Sequence, residues 1–303
     1  MPISIYPMTP NFAAEVGDLD LSQSLDAETL AEVRQAFVRF AVLIFPAQSL
    51  TTEQHIAFGA NFGRLETSIN VHFHGFKRRL REEIADVANV GPDGKPWAEG
   101  DRVRMIQMGN RLWHTDSSFK QPTAYASMLY AHTIAPIGGH TQYADLRAAY
   151  AALPADLKTA VQGLIAEHSL MFSRARLGFY DFTDHEREVF APVARPLVRR
   201  LPDSGRDTLY IASHIGRIRD KTEAETKALF DALVAHATQP EFVYTNRWRT
   251  GDLVMWDNRC TMHRGTDFDD LRYVRDMRRV TTEDAPDAFA AAVSSMAPAA
   301  SVG

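Results

Sequence analysis

The chain has 303 residues, 45% hydrophobic and 23% charged, values ordinary for a soluble globular protein. Its 33 basic and 38 acidic side chains leave a net charge of -5, which gives no global basic field and argues against a nucleic-acid partner. A single cysteine, Cys260, excludes an internal disulfide framework and a cysteine-based zinc site and suits a reducing cytoplasm. The N-terminus "MPISIYPMTP" lacks a basic segment followed by an apolar stretch, so no secretory signal is expected. No apolar run reaches the roughly 20 residues that cross a bilayer, so a cytoplasmic protein without a membrane partner is expected.

In chain order, "DAETLAEVRQAFVR" predicts a helix over about 26–39. Leu30, Val33, Phe37 and Val38 recur near helical spacing, and Ser24 lies in the cap region. "AVLIFP" at 41–46 reads as a buried strand ended by proline. "TTEQHIAFGANFG" is a second helix, with Thr51 or Thr52 as its N-cap and Gly63 at its end. From about 67 to 112 the chain turns polar and rich in Gly and Pro, apart from a strand-like "IADVANV". Such a stretch inside one domain predicts a binding loop or lid. Within it, "KRRLREE" at 77–83 reads as a solvated helix face.

Strands are predicted at "AYASMLYAHTI" and "TQYADL", then helices at "LRAAYAAL" and "PADLKTAVQGLIAEH". Further strands follow at "TLYIAS", "FVYTNRW" and "DLVMWD", with the helix "KTEAETKALFDALVAHAT" between the first two and "YVRDMRRVTT" last. Many short strands with interspersed helices predict a mainly β fold, a double-sheet jelly roll with added helices. No linker divides it, so one domain spans 1–303, with a poorly ordered tail from about 285.

Near the centre, "WHTDSSF" sets His114 and Asp116 two residues apart. In a strand those side chains share a face, and an imidazole with a carboxylate supplies two corners of a 2-His-1-carboxylate metal site. A bare H-x-D also arises by chance. The third corner is offered by His263 in "WDNRCTMHRG", which taken alone reads as a hydrogen-bonded loop histidine. Arg275 and Arg279, in "LRYVRDMRRVTT", lie four apart and would share a strand face. Two inward guanidinium groups could clamp two anions by paired charge-assisted hydrogen bonds; the plainer reading is a solvated basic strand edge.

Together with "PIGGHTQYADLRAAY", "GDLVMWDNRCTMHRG" and "HATQPEFVY", these motifs resemble the Fe(II)/2-oxoglutarate-dependent dioxygenases of the taurine and 2,4-dichlorophenoxyacetate group. The resemblance covers nearly the whole chain and is greatest toward the phenoxyacetate, or aryloxyalkanoate, branch. It implies a double-stranded β-helix of the cupin-like jelly-roll kind, Fe(II), and 2-oxoglutarate and O2 as cosubstrates. By that resemblance His114, Asp116 and His263 would be the iron ligands. Thr141 and Arg275 would hold the distal carboxylate of 2-oxoglutarate, with "DMRRVTT" selecting Arg275 over Arg272. Trp256 would line the iron pocket or act as a core aromatic, and Arg279 would face the substrate acid. Asn89, Lys95, His72, His74 and His214 are the candidate substrate contacts, each of which also reads as a solvated lid residue or a satisfied histidine. Phe73, Phe76, Phe172 and Phe179 are candidate apolar walls or core residues. His55, His132, His140, His168, His185 and His236 are read as structural.

The implied reaction is hydroxylation of the carbon beside the ether oxygen of an aryloxyalkanoate such as 2,4-dichlorophenoxyacetate. The products would be a phenol, glyoxylate, succinate and CO2. The partner would be a small organic acid, and relatives of this kind commonly self-associate as homo-oligomers. Three alternatives stay open: the same chemistry on an alkylsulfonate or other small acid, a zinc hydrolase on the same triad, and a non-catalytic jelly-roll metal- or anion-binding protein.

Overall fold

The computed structural model of the chain describes residues 3–284; the tail expected from about 285 lies outside them. Strands β1 (Ser4–Pro7) and β2 (Ala14–Gly17) pair antiparallel at the start. Helix α1 (Ala27–Phe40) buries Val33, Ala36, Phe37 and Phe40 as one stripe. Its N-cap is Asp26, whose side chain accepts the Thr29 N–H, rather than Ser24. The run "VLIF" forms β3 (Val42–Phe45), buried on both faces. Helix α2 (Thr52–Ala60) starts on a reciprocal capping box between Thr51 and Gln54, and it ends three residues before Gly63.

The segment 67–112 is more ordered than its composition suggests. It holds a 3-10 turn at Ile69–His72, strand β4 (Ala85–Ala88), helix α3 (Arg102–Gln107) and a second 3-10 turn at Met108–Arg111. The helix expected at 77–83 is absent. Arg79 there reaches inward instead and binds Asp86 and Asp276, each through two nitrogens. Two carboxylates on neighbouring strands hold this stretch extended.

Next come β5 (Ala124–Thr133), β6 (Thr141–Asp145), α4 (Leu146–Ala151) and α5 (Ala155–Ala160). The helix expected over 154–168 stops early. Gly163, at φ +69°, turns the chain, a conformation that costs glycine little. "IAEH" then becomes β7 (Ile165–His168). Short elements follow: α6 (Leu170–Ala175), α7 (Asp184–Val189), β8 (Val193–Pro196), β9 (Val198–Arg200), β10 (Asp207–Leu209) and β11 (Ile215–Ile218). The chain closes with α8 (Glu223–Ala237), β12 (Val243–Asn246), β13 (Leu253–Asp257), β14 (Thr261–Gly265) and β15 (Asp276–Glu283).

The largest sheet runs β1-β2-β3-β13-β5-β15-β4, and a three-stranded sheet runs β12-β6-β14. Strand alternation sorts their side chains into layers. From β13, Leu253 and Met255 join Val33, Phe37 and Phe58 in a core beneath α1 and α2. Val254 and Trp256, one step out of phase, join Leu129 of β5 and Tyr143 of β6 in a core shared by the two sheets. On β6 and β14, Ala144 and Met262 pack outward with Phe230 and Leu233 of α8. That phase turns Tyr143 and His263 inward. The result is the helix-decorated double-sheet jelly roll that the strand pattern predicts. No helix among the described residues is long and apolar enough to cross a membrane.

Candidate metal centre and its two cavities

His114, Asp116 and His263 converge between the sheets, with one ligand atom of each lying within 4.8 Å of the others. The route differs from the expected strand face. His114 forms an isolated antiparallel bridge with His263, exchanging backbone hydrogen bonds of 3.0 and 2.7 Å. The chain then turns over residues 116–119, with Ser117 at φ +52°, so Asp116 opens a turn instead of continuing a strand. His263 lies in β14 rather than in a loop. Its Nε2 is 3.8 Å from Asp116 Oδ2, and His114 Nε2 is 3.9 Å from Asp116 Oδ1.

Neighbouring groups fix these side chains. The Nδ1–H of His114 donates to the Leu112 carbonyl at 2.7 Å, which leaves Nε2 as the free lone pair. Ser127, inward on β5, donates to Asp116 Oδ2 at 2.7 Å. Asn258 donates to Ser127 Oγ and accepts the backbone N–H of Asp116. Arg279 donates to Asp116 Oδ1. Burial pushes both histidines below their ordinary value, His263 strongly so. Burial opposes ionisation of Asp116, but the Arg279 guanidinium, with the Ser127 hydroxyl, holds its carboxyl below the usual range. Two neutral imidazoles and one carboxylate are the protonation states a divalent metal requires. The buried His263 Nδ1 has no hydrogen-bond partner among the described residues. This donor set fits a metal of the facial-triad kind, which leaves coordination positions open.

Two cavities meet at the triad, and His114, Asn110 and Arg279 border both. The first is walled by Thr141, Trp256, His263 and Arg275. Arg275 lies just before β15, and its Nε donates to the Gly139 carbonyl at 3.1 Å. Burial lowers its pKa to about 10. Thr141 Oγ accepts the indole N–H of Trp248 at 3.0 Å, a supporting residue with no motif to mark it. Trp256 is both core and cavity wall, 4.7 Å from the His263 ring. Arg272, by contrast, is exposed. Asn89 stands behind Arg275. Its amide donates to the carbonyls of Asp270 and Tyr273, and its oxygen accepts the Arg275 N–H. Its polar atoms therefore hold the strand entrance and not the wall of the second cavity.

That second cavity is bordered by Glu66, Asp116, Phe119, Arg174, His214 and Arg279, among others. Of the candidate substrate contacts, the structure brings His214 and Arg279 here. Lys95 is exposed on a turn, His74 is exposed with its N–H on Glu186, and His72 lies beside His185 and Phe190; none of the three borders either cavity. Phe73 and Phe179 belong to the core cluster that also holds Phe119 and do not themselves border the cavity, Phe76 packs against that cluster, and Phe172 covers Gly216. The aromatic wall is Phe119, inside "WHTDSSF". Arg174 and Asn110 had no sequence signal. His55 and His236 bond backbone carbonyls, as a structural role requires.

The family model for the taurine catabolism dioxygenase TauD, TfdA family matches residues 4–281. The alpha-ketoglutarate-dependent 2,4-dichlorophenoxyacetate dioxygenase of Cupriavidus pinatubonensis is 43% identical over 287 residues, 94% of this chain and 99% of that protein. The (S)-phenoxypropionate/alpha-ketoglutarate-dioxygenase of Sphingobium herbicidovorans is 37% identical over 273 residues, 88% and 90% of the two chains. The crystal structure of AAD-2 in complex with Mn(II) and N-oxalylglycine matches with a TM-score of 0.91 at 44% identity, covering 94% of this chain and 99% of that one. With the triad, the sheet order and these likenesses in agreement, the chain belongs to the TauD/TfdA dioxygenase family.

Proposed function

We propose that this chain is an Fe(II)- and 2-oxoglutarate-dependent dioxygenase acting on an aryloxyalkanoate such as 2,4-dichlorophenoxyacetate. The observation that carries the reading is the buried His114–Asp116–His263 cluster with Arg275 beside it and no carboxylate in ion-pair reach of that arginine among the described residues. The likeness to 2,4-dichlorophenoxyacetate dioxygenases along nearly the whole chain supports the substrate class. Iron, held by the triad, would supply the oxidising chemistry with O2.

The residues of the chain do the rest. Arg275 and Thr141 receive the distal carboxylate of 2-oxoglutarate and so orient it toward the triad. Trp256 and Tyr143 keep water from that side, and Arg279 faces both cavities while it steadies Asp116. The segment 67–112 supplies Ser68, Ile69, Ala85 and Asn110 to the second cavity and acts as its cover. One substrate and one 2-oxoglutarate with one O2 give succinate, CO2 and a substrate hydroxylated beside its ether oxygen. That hemiacetal collapses to a phenol and glyoxylate.

The test is a panel of phenoxyacetates, phenoxypropionates and alkylsulfonates given Fe(II), 2-oxoglutarate and air. Succinate release that depends on an aryloxyalkanoate, with equimolar phenol, is expected. Succinate release driven by an alkylsulfonate alone transfers the same chemistry to that substrate.

A further inference from the structure

In the proposed reaction 2-oxoglutarate arrives and succinate departs in every turnover, and both are dicarboxylates. If the metal had a single door, each would have to pass the organic substrate. The structure gives the triad a second approach.

A third cavity adjoins the one walled by Thr141 and Arg275. These two share Val87, Asn110, Gly265 and Arg275. With the cavity that holds His214 and Arg279, the third shares Asn110 alone. Strand pairing keeps the two approaches apart. Along β4, Ala85 borders the second cavity, whereas Val87 and Ala88 border the third. On the paired β15, Arg279 lies opposite Ala85 and Asp276 opposite Ala88. Arg275 stands just beyond that end, four residues or roughly 13 Å of extended chain from Arg279. The second cavity is covered by Ser68, Ile69 and Glu83. The third is instead covered by α3, the 3-10 turn at Met108–Arg111 and the loop between β14 and β15.

The rim of the third cavity is built from charge. Arg104 of α3 holds Asp270 through two nitrogens at 3.0 and 3.1 Å and donates to the Glu99 carbonyl at 3.0 Å. Both side chains of that pair are 13% exposed. Asn89 fixes the same loop by its bonds to Asp270, Tyr273 and Arg275. Arg111 is held differently. It meets Asp267 and Asp270 at 3.3 Å each, and Asp267 is 86% exposed. Contacts of that length to a solvated carboxylate bind little, and Asp270 is already claimed by Arg104. Arg111 can therefore trade its aspartates for an incoming carboxylate by a side-chain rotation, while the loop stays in place.

We propose that the third cavity is the passage by which 2-oxoglutarate enters and succinate leaves, and that Arg111 receives the dicarboxylate at the rim and passes it to Arg275. This rests on the reading above that 2-oxoglutarate is the cosubstrate. The organic acid uses the second cavity, so succinate leaves without waiting for the organic product.

A passage sets the rates of entry and exit together and leaves affinity alone, and the experiment uses that difference. Anaerobic Fe(II)-loaded protein is mixed with 2-oxoglutarate in stopped flow, and the visible band of the metal chelate is followed. Met108→Trp narrows the passage from the 3-10 turn. It should slow association and dissociation alike, by roughly tenfold or more, with Kd unchanged. Arg111→Gln should slow association roughly tenfold at low salt and weaken its salt dependence. Binding of 2,4-dichlorophenoxyacetate to the preformed complex, read as a change in the same band, should keep its rate in both variants. Unchanged association of 2-oxoglutarate in either variant, or equal slowing of the organic acid, overturns the proposal. So does a raised Kd in Met108→Trp with association unslowed, which is damage to the binding site. If Met108→Trp fails to fold, Arg111→Gln, at a partly exposed side chain, decides by its own rates. If wild type gives no band, the cosubstrate reading falls and the passage with it; a normal band with unaltered rates removes the passage alone.

Discussion

Replacing Asn89 by alanine separates two roles for one residue. Its resemblance-based role is substrate contact, but its side chain makes hydrogen bonds of 2.7 Å to Asp270 O, 2.8 Å to Tyr273 O and 2.8 Å from Arg275 N. Asn89 is 9% exposed, so water does not replace these bonds freely. At about 1 kcal/mol net for each, Asn89→Ala should cost roughly 3 kcal/mol. With an unfolding entropy of about 2.1 cal/mol/K per residue, that lowers Tm by roughly 5 °C in a chain of this size. The larger effect falls on Arg275, whose backbone loses its tether. A displaced clamp costs roughly 10- to 100-fold, so the KM for 2-oxoglutarate should rise by that factor. Steady-state succinate release at varied 2-oxoglutarate, and separately at varied aryloxyalkanoate, reads both constants. An unchanged KM for 2-oxoglutarate with a raised KM for the organic acid would refute this reasoning and return Asn89 to the substrate.

Arg275→Ala should raise the 2-oxoglutarate requirement directly, by on the order of 100-fold, with the organic-acid KM little changed; equal rises in both would contradict two separate cavities. Ser127→Ala removes the hydroxyl that binds Asp116 Oδ2, and a 10- to 100-fold loss of metal affinity is expected, roughly that of other outer-sphere ligand supports, read by Mn(II) titration. Fold stability should fall with acidity, because burial holds His168 at about 3 and His55 at about 4. The unfolded chain takes up those protons below about 6.5, so stability is complete above that pH and declines as pH drops toward 4, by up to about 1.4 kcal/mol per pH unit for each group. His55→Gln should flatten the decline of Tm between pH 6.5 and 4, and an unaltered slope would count against the assignment.

Much of the fold was legible because alternation and helical spacing carry it. "DLVMWD" alternates between two cores, and "AETLAEVRQAF" lays one stripe on the sheet. Strands of three or four residues, such as Ser4–Pro7 and Val198–Arg200, are too short to show a period. The helix expected over 154–168 failed at Gly163, where backbone freedom overrode propensity. "KRRLREE" looked solvated because charge alone does not reveal that Asp86 and Asp276 draw Arg79 inward.

At the site, the metal cluster was readable from spacing and resemblance, although a bridge and a turn rather than one strand assemble it. The second cavity was legible only in His214 and Arg279. Arg174 sits in "MFSRARLG", where nothing marks it as buried, and within the segment that lends Ser68, Ile69, Ala85 and Asn110 to the cavity the charged Lys95, His72 and His74 do not border it. Which basic side chain is left without an anion is a property of the packed chain.

The central claim is that the triad and Arg275 serve a 2-oxoglutarate-dependent oxidation of an aryloxyalkanoate. The most direct measurement is the stoichiometry of succinate and phenol formed from 2,4-dichlorophenoxyacetate with Fe(II), 2-oxoglutarate and air, in wild type and Asp116→Ala. The prediction is equimolar succinate and phenol in wild type and neither in the variant. Phenol without succinate, or full turnover in Asp116→Ala, would contradict it.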